Sequence, residues 1–233
     1  MSLSLYNKKR NFKKTPEPTG EIKKSHSKLS FVVQRHKASH LHYDFRLEID
    51  GTLKSWAVPK GPSLNPGDKR LAMMVEDHPY NYGKFAGVIP EGNYGAGIVE
   101  IWDEGTFCDL ENSDKETAEK KLKAQLKAGS LKFVLFGKKL KGEFALVKLK
   151  NGKQENAWLL IKHKDKYSVT EEYNSEEQTL KSSPINKWLA STHTGLHTGS
   201  SATGSRSKKS ATKEVKKKSE NTSRAKVKNS RTT

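Results

Sequence analysis

The chain has 233 residues, with 44 Lys and Arg against 26 Asp and Glu, and it carries a formal net charge of +18; hydrophobic residues make up 33% and charged residues 30%. That length suits one ordinary domain plus tails, and an apolar share below the usual ~45–50% excludes a chain that packs along its whole length. So large a positive excess points to a polyanion, with nucleic acid ahead of an anionic membrane because no basic amphipathic helix of the membrane-surface kind stands out.

The start, Met-Ser-Leu-Ser-Leu-Tyr-Asn-Lys-Lys-Arg, lacks the apolar centre of a secretory signal, and no run approaches the ~20 apolar residues of a membrane span. A cytoplasmic, nucleoid-associated protein is expected. The single cysteine, Cys108, permits no internal disulfide and excludes a cysteine-based zinc site, so any metal must use His and carboxylate.

From about 29 to 164 the chain reads as short strands separated by turn signals, the pattern of an antiparallel sheet or barrel. In Leu41-His42-Tyr43-Asp44-Phe45-Arg46-Leu47-Glu48-Ile49 apolar and polar residues alternate with a strict period of two. Asp50-Gly51 then suits a type I′ turn, and Thr52 to Val58 is the returning strand. Lys69 to Glu76, Gly97 to Trp102, Leu131 to Phe136, Glu143 to Leu149 and Ala157 to Lys162 are further strand candidates. One helix is predicted: Ser113 and Glu116 form a capping box, Ala118, Leu122 and Leu126 make an apolar stripe, and Gly129 ends it. Ile89-Pro90-Glu91-Gly92-Asn93-Tyr94-Gly95-Ala96-Gly97 is glycine-rich but lacks the Lys-Ser/Thr of a phosphate-binding loop, and it reads as a turn. Beyond about Gly195 the chain is Ser, Thr, Lys and Arg with almost no apolar residue, and eleven basic residues oppose two acidic ones, a net of +9. Such a segment cannot offset the entropy of ordering. It is expected to be a disordered tail, either an electrostatic arm on a phosphate backbone or solvated chain of no consequence.

The chemistry lies on the hairpin. Alternation puts His42, Asp44 and Arg46 on one face and Tyr43, Phe45 and Leu47 on the other, with neighbours on a face roughly 6–7 Å apart at the backbone. His and Asp suit a borderline cation, and Arg makes a two-pronged bond to phosphate. A solvated strand face with surface ion pairs is the alternative. His36, on Phe31-Val32-Val33-Gln34-Arg35-His36, is near enough upstream to fold back as a second imidazole. Two histidines and a carboxylate leave positions open for substrate. His78 lies beside Glu76 and Asp77, and Lys60 and Arg70 flank a rigid Pro59-Lys60-Gly61-Pro62 turn; each, taken alone, suits a surface charge.

Taken together, Phe31 to His36, Leu41 to Glu48 and Leu53-Lys54-Ser55-Trp56-Ala57-Val58-Pro59-Lys60-Gly61-Pro62-Ser63 closely resemble the signature of the 3′-phosphoesterase module of bacterial and archaeal DNA ligase D. Lys69-Arg70-Leu71-Ala72, Val75-Glu76-Asp77-His78-Pro79 and Ile89 to Gly95 continue the resemblance, and Arg10-Asn11-Phe12 with Thr15-Pro16-Glu17-Pro18 resembles the family's N-terminal arm. The resemblance implies a mainly β protein, a compact antiparallel β-barrel with one or two flanking helices and a polar, open face. It divides the chain into an arm (1–28), a barrel (29–190) and the basic tail (191–233). It also implies Mn²⁺-dependent trimming of DNA 3′-ends, removing a terminal ribonucleoside and then the 3′-phosphate, with Co²⁺ or Zn²⁺ as alternative ions. By position it implies His36, His42 and Asp44 as metal ligands and Arg46 and His78 on the scissile phosphate. Tyr82 and Lys60 match phosphate-side positions, Glu76 and Arg70 supporting ones, and Arg10 and Glu17 arm residues tied to the diesterase step.

His40 departs from the family, where Arg is common, and is either a spare ligand or a surface group. The family fuses this module to polymerase and ligase domains, for which this chain has no room, so a stand-alone form with a separate ligase or polymerase partner is expected. Glu48-Ile49-Asp50-Gly51 resembles the adenylation motif of ligases but has no lysine. Two other classes compete. His42, Asp44 and another histidine could form the facial triad of an Fe(II) oxygenase, though its additional His normally lies well downstream. A non-catalytic DNA-binding or scaffold protein is the other.

Overall fold

The computed structural model of the protein describes residues 3–23, 25, 27–150 and 154–194; the basic segment at 195–233 lies outside the described residues. A short helix α1 (Ser4–Lys8) precedes β1 (Leu29–Lys37), β2 (Leu41–Ile49), β3 (Thr52–Val58) and β4 (Lys69–Met74). A two-residue bridge β5 (His78–Pro79), a 3₁₀ turn (Tyr80–Lys84) and β6 (Gly87–Ile89) lead to the long β7 (Gly97–Cys108). Helix α2 (Lys115–Ala128), strands β8 (Ser130–Gly137), β9 (Lys141–Lys148) and β10 (Ala157–Lys162), and helix α3 (Pro184–Thr194) follow. Helix α3 runs past the boundary at 190 expected between barrel and tail.

Neighbouring strands pair in the order β1-β2-β3-β4-β10-β9-β8-β7, and β7 pairs back onto β1. This closes an eight-stranded antiparallel barrel and removes the unpaired edges an open sheet would present. β5 is attached to β3 and β6 to β7, outside the circuit. Among the described residues no helix is long and apolar enough to cross a membrane.

The predicted hairpin is present, with Ile49 opposite Thr52, and Asp50 and Gly51 at φ 58° and 71° as a type I′ turn requires. Its apolar residues fill the barrel. Phe31 and Val33 of β1, Tyr43, Phe45 and Leu47 of β2, and Trp56 and Val58 of β3 join one buried cluster with Phe133, Phe144 and Trp158 from across the barrel. The opposite face of β1 to β3 meets a second, smaller cluster in which Leu3 and Tyr6 of the arm pack with Val32, Leu53, Tyr82, Phe85, Ile89 and Val99. The same three strands thus have a filled interior face and an outer face roofed by the N-terminal arm.

Helix α2 buries Ala118 and Leu122 against the barrel and ends at Gly129 in the left-handed region. Its cap differs from the expected Ser113–Glu116 box. Asp114 accepts from the Glu116 and Thr117 amides at 3.1 Å, while Ser113 donates through its backbone and hydroxyl to Asp109. Asp caps as well as Ser, and Ser113 is already engaged one turn back.

Gly97 opens β7 at φ 146°, and a Cβ there would sit 2.2 Å from the Lys37 carbonyl oxygen. The close approach of β7 to the end of β1 therefore requires glycine. Gly97→Ala is expected to lower the free energy of unfolding by about 1–3 kcal/mol, read as a shift in urea midpoint. Gly83→Ala, whose Cβ would meet nothing nearer than 3.5 Å, should leave the midpoint almost unchanged.

Candidate functional site

The β1–β2 register sets His36 directly opposite His42 and Gln34 opposite Asp44, and places Ala57 of β3 on the other side of Asp44. The imidazole centroids are 4.8 Å apart. One donor atom each from His36, His42 and Asp44 falls within 4.8 Å of the others, and Ala57, too short to fill the space, helps line a cleft of about 280 Å³ over them.

Backbone carbonyls orient both rings. His36 Nε2 is 3.0 Å from the Gly95 oxygen, and His42 Nδ1 is 2.9 Å from the His40 oxygen. A carbonyl only accepts, so those nitrogens carry the protons and the lone pairs are left on His36 Nδ1 and His42 Nε2. These lone pairs face Asp44, at 3.6 Å from Oδ2 and 3.7 Å from Oδ1. Such distances are too long for hydrogen bonds. They match two ligands sharing one ion, each roughly 2.1 Å from it. Burial opposes the charge on Asp44, but the Arg46 guanidinium beside it holds its carboxyl well below the usual carboxylate range. The cluster could therefore hold a divalent metal, with the carbonyls as the outer partners that aim the rings.

Arg46 is 2% exposed and all three of its nitrogens are engaged. Nε donates to Gln34 Oε1 at 2.6 Å, Nη1 to Ser55 Oγ at 2.8 Å and Nη2 to Asp44 Oδ2 at 3.0 Å. The guanidinium lies 4.9 Å from the Tyr82 ring centre.

The roof is Arg10. It stacks 3.9 Å over Tyr6, donates through Nε to Glu17 at 2.8 Å and through Nη1 to Glu76 at 3.3 Å, and places Nη2 3.1 Å from His78 Nε2. Lys9 adds a bond to Glu76 Oε2 at 3.1 Å. Because guanidinium only donates, His78 Nε2 accepts, and the ring proton sits on Nδ1 toward the Glu76 carbonyl at 2.9 Å. Burial first, then the positive charges of Arg46 and Arg10, hold His78 well below its ordinary pKa. The ring is neutral.

The cleft brings together Arg10, His36, His42, Asp44, Arg46, Glu76, His78 and Tyr82, with Glu17 buried behind Arg10. It does not bring in Lys60 and Arg70. Those two line a separate pocket with Tyr43 and Glu176, and Arg70 donates to Asp68 and to the Tyr173 carbonyl. His40 is exposed and contributes its carbonyl, not its ring. On the polar face implied by the resemblance, Asp44, Arg46 and His78 are buried in the floor of the cleft, while the His42 side chain keeps 23% exposure at the mouth. Gln34, Ser55, Tyr6, Tyr94 and the Gly95 carbonyl were missed. Gly95 and Tyr94 belong to the glycine-rich stretch, which is indeed a turn but also lines the cleft.

Residues 34–148 match the profile of the DNA ligase D 3′-phosphoesterase domain. A Pseudomonas aeruginosa protein named "Multifunctional non-homologous end joining protein LigD" is 50% identical over 165 residues, 70% of this chain and 19% of the relative. A Mycolicibacterium smegmatis protein of the same name is 40% identical over 171 residues, 73% of this chain and 22% of the relative. The Mycobacterium tuberculosis "Multifunctional non-homologous end joining DNA repair protein LigD" is 42% identical over 166 residues, 70% of this chain and 20% of the relative. The chain thus spans about a fifth of the length of these relatives.

Adding Co²⁺ to the metal-free protein should give a visible absorption band that saturates at one ion per chain. His36→Ala or Asp44→Ala should abolish the band and His40→Ala should preserve it; equal loss in all three would remove the assignment of ligands.

Proposed function

The barrel of this chain belongs to the DNA ligase D 3′-phosphoesterase family, and from that premise we propose that it hydrolyses phosphoesters at DNA 3′-ends with Mn²⁺ in the His36–His42–Asp44 set. The observation that carries the reading is Arg46 Nη2 at 3.0 Å from Asp44 Oδ2: a fixed guanidinium stands directly beside three cation-binding donors, so one phosphate can touch both. A bound metal would supply Lewis-acid polarisation of a phosphoryl oxygen and a more acidic water.

The chain's own groups do the rest. Arg46, held by Gln34 and Ser55, neutralises charge that grows on the phosphoryl oxygens without having to reorganise. His78 was expected either to donate a proton to the leaving oxygen or to stabilise the same charge. Its neutral ring and the engagement of Nε2 by Arg10 favour the second role, exercised by holding Arg10 at the cleft edge. Tyr82, edge-on to His78 at 4.7 Å, keeps both in place. Arg10 and Glu17 would orient a terminal ribonucleoside for the diesterase step, leaving a 3′-phosphate for the second.

The product, a 3′-hydroxyl, is what a ligase or polymerase needs in end joining, and the names of the relatives support that setting. An iron oxygenase is not favoured, because two guanidiniums line the cleft, and these suit an anion.

The test is release of phosphate from a primer bearing a 3′-phosphate. We expect release with Mn²⁺, none with EDTA or with His42→Ala, and a fall of about 10²-fold or more for Arg46→Ala. Activity that survives chelation overturns the metal assignment, and DNA binding without processing under Mn²⁺, Co²⁺ or Zn²⁺ supports the scaffold reading instead. On a primer ending in a ribonucleotide, Arg10→Ala should slow nucleoside removal by at least ~10-fold more than it slows phosphate release, a difference of about 1.4 kcal/mol in the two barriers.

A further inference from the structure

Beside the metal cleft lies a second groove of about 590 Å³, lined by Lys37, Ser39, Val88, Glu91, Gly97 and Trp188 among others. The two adjoin, since Ala38, Ile89 and Gly95 line both. Helix α3 carries Trp188 and is pinned at its start: Ile185 is fully buried, its amide donates to Glu100 Oε2 at 3.1 Å, and Arg35 Nη2 donates to Asn186 Oδ1 at 2.9 Å. Trp188, one turn further along, is 41% exposed, whereas Trp56, Trp102 and Trp158 are 0%, 4% and 2% exposed. The Lys37 ammonium stands 5.4 Å from the Trp188 ring centre.

Leaving so large an aromatic surface in water forgoes burial worth a few kcal/mol, and a rigid helix start holds it where the cleft opens. An indole face beside an ammonium is the pair that proteins use for single strands: the ring stacks a base of any sequence and the cation meets the backbone. The metal cleft accommodates the terminal ester, so the rest of the strand must leave it. Resting on the phosphoesterase reading, we propose that the Trp188–Lys37 groove binds the unpaired nucleotides immediately 5′ of the scissile 3′-end. Trp188 stacks a base, Lys37 meets a phosphate, and Glu91 on the rim confines the strand to the Lys37 side. The sequence after α3 continues into the +9 segment, which tethers further positive charge to the same helix.

Trp188 makes the test direct, because it is the exposed indole among four. A single-stranded oligonucleotide with a 3′-hydroxyl, the product of the reaction, should quench the intrinsic fluorescence of the full chain without added metal, and Trp188→Phe should remove most of that quench. With 3′-phosphorylated single strands and Mn²⁺, Trp188→Ala should raise KM by about 5- to 100-fold, the size of one lost base stack, with kcat little changed. Trp188→Phe should recover much of the loss, and Lys37→Gln should flatten the salt dependence of binding. With thymidine 3′-phosphate, which has no upstream base, the ratio of oligonucleotide to mononucleotide kcat/KM should fall in Trp188→Ala by the same factor. An unquenched wild-type protein, an unchanged KM, or quenching by blunt duplex alone overturns the proposal. Quenching without phosphate release from any substrate would instead sink the phosphoesterase reading and leave the strand-binding groove standing.

Discussion

A buried carboxylate, Asp44, holds the site together. Taking such a group out of water costs several kcal/mol unless charge and hydrogen bonds compensate. Arg46 compensates on one side through a 3.0 Å bond. On the other side the two imidazoles face the carboxylate oxygens at 3.6 and 3.7 Å, too far for hydrogen bonds, and a cation could stand between them. The capacity to hold an ion is therefore coupled to the β1–β2 pairing that sets His36 opposite His42.

The N-terminal arm extends this coupling beyond the barrel. Tyr6 is buried and its hydroxyl donates to the Pro18 carbonyl at 2.6 Å, so the segment folds over its own helix before it covers the cleft. Arg10 then reaches residues more than sixty positions away, Glu76 and His78. All three nitrogens of Arg10 are thus engaged where it closes over the cleft.

The hairpin was legible because its information is local. A period of two assigns faces, Asp50-Gly51 selects the turn, and the short β1–β2 connection returns His36 to His42. Strand closure into a barrel was legible only as one of two outcomes, since alternation does not say whether the last strand finds the first; the resemblance decided it. Other features depend on distant partners. The roof made by Arg10 comes from contacts across the chain. The Gly95 carbonyl that orients His36 belongs to a backbone, and a side-chain reading of the glycine-rich turn passes over it. By analogy of position the resemblance gave Lys60 a phosphate-side role and Arg70 a supporting one, and both line a neighbouring pocket with Tyr43 and Glu176. The cap falls at Asp114, one residue past the expected Ser113, because two good capping residues are adjacent and the bonds from Ser113 to Asp109, four residues back, chose between them.

Alternation along β2 also separates stability from chemistry at the level of single residues. Tyr43, Phe45 and Leu47 are each 2% exposed or less in the barrel core, where truncating a large side chain costs on the order of 2–5 kcal/mol. Asp44 and Arg46, one step away along the same backbone, are almost as buried, but their surroundings are polar and every partner is specific. Removing one leaves another charge or donor unpaired, so the functional face tolerates change no better than the core does, for a different reason. Gln34 and Ser55 follow from this. They touch no substrate atom in the proposed reaction, yet without them two nitrogens of Arg46 would be buried with nothing to accept them. The polar network is thus what makes the buried Arg46 guanidinium tolerable beside a cluster that could hold a metal, and the barrel is what keeps that network in a single arrangement.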